Sequence, residues 1–180
     1  MILGKLYEGR MQNRDSLDID ELVDLTKDVL FPDQCFFILC FSSVTLAVFV
    51  YLLWRGFRLL ALIPLSVLVT SVSYWGNKPQ LVSWTRFIDV VVVLISASVQ
   101  LYVSMYSSTG AYYWFFMVLA GLFYAESHYL AWPAHDPESG LSVSQKKFIL
   151  WGATFAHCLV YLSAAFAGVV LLSVDIVGLW

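Results

Sequence analysis

Few side chains in this sequence can do chemistry, and most of them sit in apolar surroundings. Asp89, Glu126, His128 and His157 are the ionisable groups inside long hydrophobic stretches, where such groups are costly and mark functional positions by default. Ser71, Ser73 and Tyr74 add hydroxyls at the end of another stretch. In catalytic terms the candidates are Ser71, Asp89 and Glu126. In metal terms they are His128 and His157. Glu126 and His128 are two residues apart, so on one helix they face different sides and cannot both ligate one ion.

Each candidate also has a plainer reading. Asp89 can pair with Arg86, three residues earlier on the same helix face. His128 can be interfacial, because its apolar stretch ends a few residues later. His157 lies ten residues past Lys147, roughly 15 Å along a helix, and can be a neutral imidazole bonded to a neighbouring helix. Familiar catalytic signatures are missing from the sequence. It has no zinc-protease His/Glu pattern, no Gly-x-Ser-x-Gly elbow and no phosphate loop. No lysine lies within an apolar stretch to form a Schiff base. His128 and His157 could supply one haem pair, without supporting spacing.

The composition says what must position these groups. Of the 180 residues, 60% are hydrophobic, 17% aromatic and 13% charged, with a mean hydropathy of +0.77. A soluble domain has ~25% charged residues, so folding in water would expose large apolar patches. This excludes a soluble globular enzyme and a disordered chain. The net charge of −3 also excludes the basic footprint of a nucleic-acid binder. The expected fold is all-α, a multipass membrane helix bundle.

Five apolar runs are legible, at 35–54, 59–75, 87–106, 111–130 and 148–174. Each has about the length that crosses a ~30 Å hydrocarbon core as a helix. Pro64 inside the second predicts a kink, and Trp54, Trp75, Trp84, Trp132 and Trp151 near run ends suit interfacial anchoring. Residues 1–34 hold eight of the 13 acidic groups and read as a cytoplasmic segment with an amphipathic helix over about 17–30, capped by Asp15 or Ser16. Residues 35–180 form the membrane domain. Eight Lys and Arg flank one side of the runs and only Arg55 and Arg58 the other. That bias predicts a cytoplasmic N-terminus and a C-terminus outside or in a lumen. Cys35, Cys40 and Cys158 show no framework spacing.

Alternating spans bring the end of the second run, the start of the third, the end of the fourth and the start of the fifth into one leaflet. Ser71, Asp89, Glu126, His128 and His157 are therefore expected to share one intramembrane site. Ser96, Ser98, Gln100, Ser104 and Ser163 read as interhelical polar contacts. The small-residue surfaces Ser96/Ala97/Ser98 and Ala164/Ala165/Ala167/Gly168 suit helix association, within the chain or with another membrane protein.

One stretch carries a family likeness. Thr70-Ser71-Val72-Ser73-Tyr74-Trp75, a short polar loop and then Arg86-Phe87-Ile88-Asp89 resemble the second and third helices of the CREST superfamily, which includes alkaline ceramidases, adiponectin- and progestin-type receptors and hemolysin III-like proteins. The resemblance covers about 30 residues, in which Ser71 or Ser73 matches the family's Ser and Asp89 its Asp. It implies a zinc site, hydrolysis of lipid amides and a site in the cytoplasmic leaflet. This chain departs from the pattern by placing Tyr74 or Trp75 where the family has its first His, by having five runs in place of seven spans, and by carrying the single His157 in its last run. Three readings follow: a non-enzymatic binding or accessory protein that needs no cofactor and meets only membrane lipid and other membrane helices; a reduced CREST-type hydrolase with zinc on His157 and either His128 or Glu126; or a channel or transporter.

Overall fold

A computed structural model describes residues 28–77 and 79–172. All regular structure among them is α-helical: α1 (Pro32–Ser42), α2 (Val44–Trp54), α3 (Arg58–Trp75), α4 (Trp84–Ser104), α5 (Gly110–His135) and α6 (Val143–Leu172). Most of the helix expected over 17–30 lies outside the described residues. Its last three positions are not helical. Asp28 forms an isolated antiparallel bridge with Gln80, and the Val29 amide donates to the Pro79 carbonyl at 3.0 Å. Leu30 and Phe31 are buried, so this strap is tucked into the bundle.

The first apolar run is one membrane-length segment, Pro32–Trp54, interrupted at Ser43. The interruption has a local cause. The hydroxyls of Ser42, Ser43 and Thr45 donate to the carbonyls of Leu39, Cys40 and Ser42 at 2.6–2.7 Å, a back-bonding pattern that bends helices. Gly56, at φ 85°, makes the tight turn into α3. Pro64 is accommodated without ending α3, as membrane helices tolerate when neighbours satisfy the freed backbone groups. Ser83 caps α4 by accepting from the Arg86 amide at 3.2 Å.

Among the described residues four segments are long and apolar enough to cross a membrane: Pro32–Trp54, Arg58–Trp75, Trp84–Ser104 and Val143–Leu171. α5, which holds the fourth expected run at 111–130, has 26 residues but is not among them. Tyr and Trp hydroxyl and indole groups, together with Glu126 and His128, lower its hydropathy. Leu94, Ile95, Val118, Leu122, Phe155 and Phe166 are all more than half exposed. Such a girdle is untenable in water and ordinary against lipid. These features are those of an integral membrane protein.

The helices pack as two antiparallel pairs. α5 lies along α6 in the most extensive helix contact among the described residues, and α3 packs against α4. The α1–α2 segment touches both pairs and bridges them. Two cores result, one at each end. The first gathers Leu30, Ile38, Trp75, Ala134, Leu150 and Tyr161; the second gathers Leu52, Ala61, Val103, Tyr113, Ala167 and Leu171. Gln34 is fully buried, accepts from the Phe31 amide at 3.1 Å and donates to the Lys147 carbonyl at 3.0 Å. That residue fixes the start of α1 to the start of α6. At the opposite end the Thr109 hydroxyl donates to the Val170 carbonyl at 3.0 Å, holding the start of α5 to the end of α6.

Candidate functional site

The two helix pairs do not close completely where they meet near the first core. A cavity of about 90 Å³ remains, walled by Asp89, Arg86, His128, His157 and the aromatic rings of Tyr74, Trp75 and Tyr124. Apolar side chains of the strap, Val29 and Leu30, close part of it. Four helices therefore contribute polar groups at one depth: α3, α4, α5 and α6.

Ser71 lies beside the cavity and is buried. Its hydroxyl donates to Asp89 Oδ1 at 3.1 Å, and the Thr70 hydroxyl reaches the same oxygen at 2.7 Å. The Tyr161 hydroxyl donates to Ser71 Oγ at 3.1 Å. A directed chain thus runs from α6 through α3 to α4. The expected Arg86–Asp89 pair does not form. Arg86 Nη1 donates to the Leu81 carbonyl at 2.6 Å, because the N-terminal turn of α4 brings that carbonyl closer than the carboxylate, which faces α3.

His157 is partly buried among aromatic rings, with centroids 5.2 Å from Trp75, 5.7 Å from Tyr161 and 6.1 Å from Tyr124. His128 is more exposed and its ring lies 4.5 Å from that of Tyr124. Glu126 is exposed and does not line the cavity. Being two residues before His128, it points elsewhere, as helix geometry requires. Ser73 is exposed and bonds its own helix at the Val69 carbonyl, 2.8 Å away.

The donor set does not fit a zinc ion. Among the described residues no three His, Cys, Asp or Glu side chains gather closely enough to hold a metal. Zinc sites need three or four such ligands. Here Asp89 is turned to two hydroxyls on α3, and both imidazoles pack edge-on against aromatic rings.

Thr70, Trp75, Tyr124 and Tyr161 are site residues that residue chemistry alone passes over. Helical spacing could have flagged two of them. Tyr161 follows His157 by four residues and Tyr124 precedes His128 by four, so each shares a face with a candidate. The serines read as interhelical contacts behave differently. Ser98 and Ser104 donate to carbonyls of their own helix, at 2.8 and 2.7 Å. The small residues of α6 are used inside the chain: Ala165 and Ala167 are buried, and Gly168 faces Val48.

No protein-family model, curated protein or solved structure matches this chain.

Proposed function

We propose that the protein is a non-enzymatic binding module of the membrane, and that the cavity between the helix pairs takes up a small polar or amphiphilic ligand from the surrounding leaflet. One observation carries this reading. Polar side chains from four helices converge around an unfilled space, and Arg86 and Asp89 line it without pairing with each other. Polar groups in lipid seek partners, and a closed bundle would have used Arg86 and Asp89 on each other.

In this reading α5 crosses the membrane as a fifth span. Its start is held to the end of α6 and its end packs beside the start of α6, so it covers the same depth as a helix that crosses. The exposed Trp114 and Trp132 stand 18 residues apart, or ~27 Å along a helix, close to the hydrocarbon thickness. The basic flanks then place the N-terminus and the cavity on the cytoplasmic side.

The kinship with CREST proteins forms part of the same proposal. The two residues that carry the resemblance, Ser71 and Asp89, are hydrogen-bonded to each other. Tyr74 and Trp75, which stand in the place of the family's His, are not zinc ligands. The relative proposed is a metal-free one. Ser71 is also too buried to meet a substrate, which favours binding over hydrolysis.

The test is retention of ligand. Full-length protein purified in mild detergent should carry a co-purifying small molecule or lipid, seen by native mass spectrometry. An Ala131→Trp variant, which fills the cavity from α5, should lose it while eluting as a folded species. Equal retention by both proteins would mean that the cavity is not the binding site.

A further inference from the structure

Arg86 and Asp89 are the unusual feature of the cavity. They lie one helical turn apart on α4, carry opposite charge and line the same space, yet each is restrained by other partners. Arg86 is held by the Leu81 carbonyl, and Asp89 Oδ1 by Thr70 and Ser71. Among the described residues the remaining Arg86 N–H groups donate no hydrogen bond to the protein and Asp89 Oδ2 accepts none from it. Trp75 lines the same space while only 7% exposed, and its indole N–H has the Tyr161 hydroxyl beside it.

We infer that the cavity recognises a zwitterion of the phosphocholine type, with its phosphate at Arg86 and its quaternary ammonium at Asp89 among the aromatic rings. This rests on the binding-module reading and specifies its ligand. A ligand of one charge would leave the other, partly buried charge unanswered, at a cost; a ligand carrying both satisfies both. Guanidinium groups suit phosphate. A quaternary ammonium needs no hydrogen-bond acceptors, and it is stabilised by aromatic rings such as those of Tyr74, Trp75 and Tyr124. A primary ammonium brings three donors. The enclosed space is small: about 90 Å³, below the 150 Å³ or so of a cavity that holds benzene, so it takes the trimethylammonium group and neither the whole head nor an acyl chain. Exposed Trp84 and Trp132 flank this end of the bundle, at the level where headgroups lie.

The test is a titration of the purified full-length chain in maltoside micelles, read by native mass spectrometry. The probes are dioleoyl phosphatidylcholine, its ethanolamine and glycerol counterparts, and water-soluble phosphocholine. Choline lipid should bind more tightly than the other two lipids. Asp89→Asn, which keeps an acceptor for Thr70 and Ser71, should weaken it by about tenfold, and Arg86→Gln by a similar factor. Competition by free phosphocholine would assign the site to the free zwitterion, and binding of the lipid alone to a membrane-borne one; either supports the inference. A ligand lost in Ala131→Trp but indifferent to headgroup and to both charge variants would overturn the inference and leave the binding module standing. If Ala131→Trp retains the ligand, the module reading fails as well. Should Asp89→Asn not fold, Arg86→Gln carries the same comparison.

Discussion

The Tyr161 hydroxyl donates to Ser71 Oγ at 3.1 Å, joining residues 90 positions apart. It is the link by which the α5–α6 pair holds the α3–α4 pair beside the cavity. Ser71 passes the contact on by donating to Asp89, so one hydroxyl chain ties three helices.

Replacing Tyr161 by Phe should therefore weaken the join between the pairs without emptying a volume. Interhelical hydrogen bonds in membranes contribute about 0.6 kcal/mol on average and up to about 1.7. A loss in that range is expected in reversible unfolding in detergent. Ser71→Ala should cost at least as much, and the double variant less than the sum, because both changes break the same chain. Strict additivity would show that the chain does not act as a unit.

Gly168 lies where α6 meets α2. A Cβ there would stand 3.5 Å from Val48 Cγ1, an ordinary contact, so Gly168→Ala should be tolerated. Gly168 also lines a cavity of about 80 Å³, which an indole overfills, so Gly168→Trp should destabilise by about 1–3 kcal/mol. Thermal unfolding of the two variants checks the ordering, and a Trp variant as stable as the Ala one would contradict close packing of these helices.

The proposed crossing of α5 is tested by the sidedness of the loop at 136–142. With α5 crossing, Glu138→Cys and Arg58→Cys, each introduced into a cysteine-free background, should react with a membrane-impermeant thiol reagent from opposite faces of sealed vesicles. Glu138→Cys should label from the cytoplasmic face. Labelling of both from one face would show that α5 does not cross.

The ligand geometry also speaks to metal content. Purified protein should contain far less than stoichiometric zinc, and chelation should leave its unfolding temperature unchanged. One zinc per chain, lost together with stability on His157→Ala, would restore the hydrolase reading and its candidate ligands His128 and His157.

The membrane character and the run lengths were legible in the sequence because both follow from composition along the chain. A helix in lipid satisfies its own backbone, so a run of ~20 apolar residues needs no tertiary information to be read as a span. The same logic speaks less clearly for α5, whose polar aromatic residues dilute its hydropathy below that of the four candidate spans. The expected convergence of Ser71, Asp89, His128 and His157 followed from alternation of spans, and the structure places all four in or beside one cavity. Glu126 fell outside it because depth along a helix can be counted from the sequence, whereas the direction a residue faces depends on which neighbour packs there.

Sequence alone determined that the chain is helical and apolar, and at what height its sparse polar groups stand. Tertiary structure decided which of them meet. Asp89 turns to Thr70 and Ser71, Arg86 turns to a carbonyl, and Tyr161 joins from a helix far along the chain. Local spacing allowed Arg86 and Asp89 to pair. Hydroxyls presented by α3 compete for that carboxylate, and they exist at that point in space only after the helices have packed.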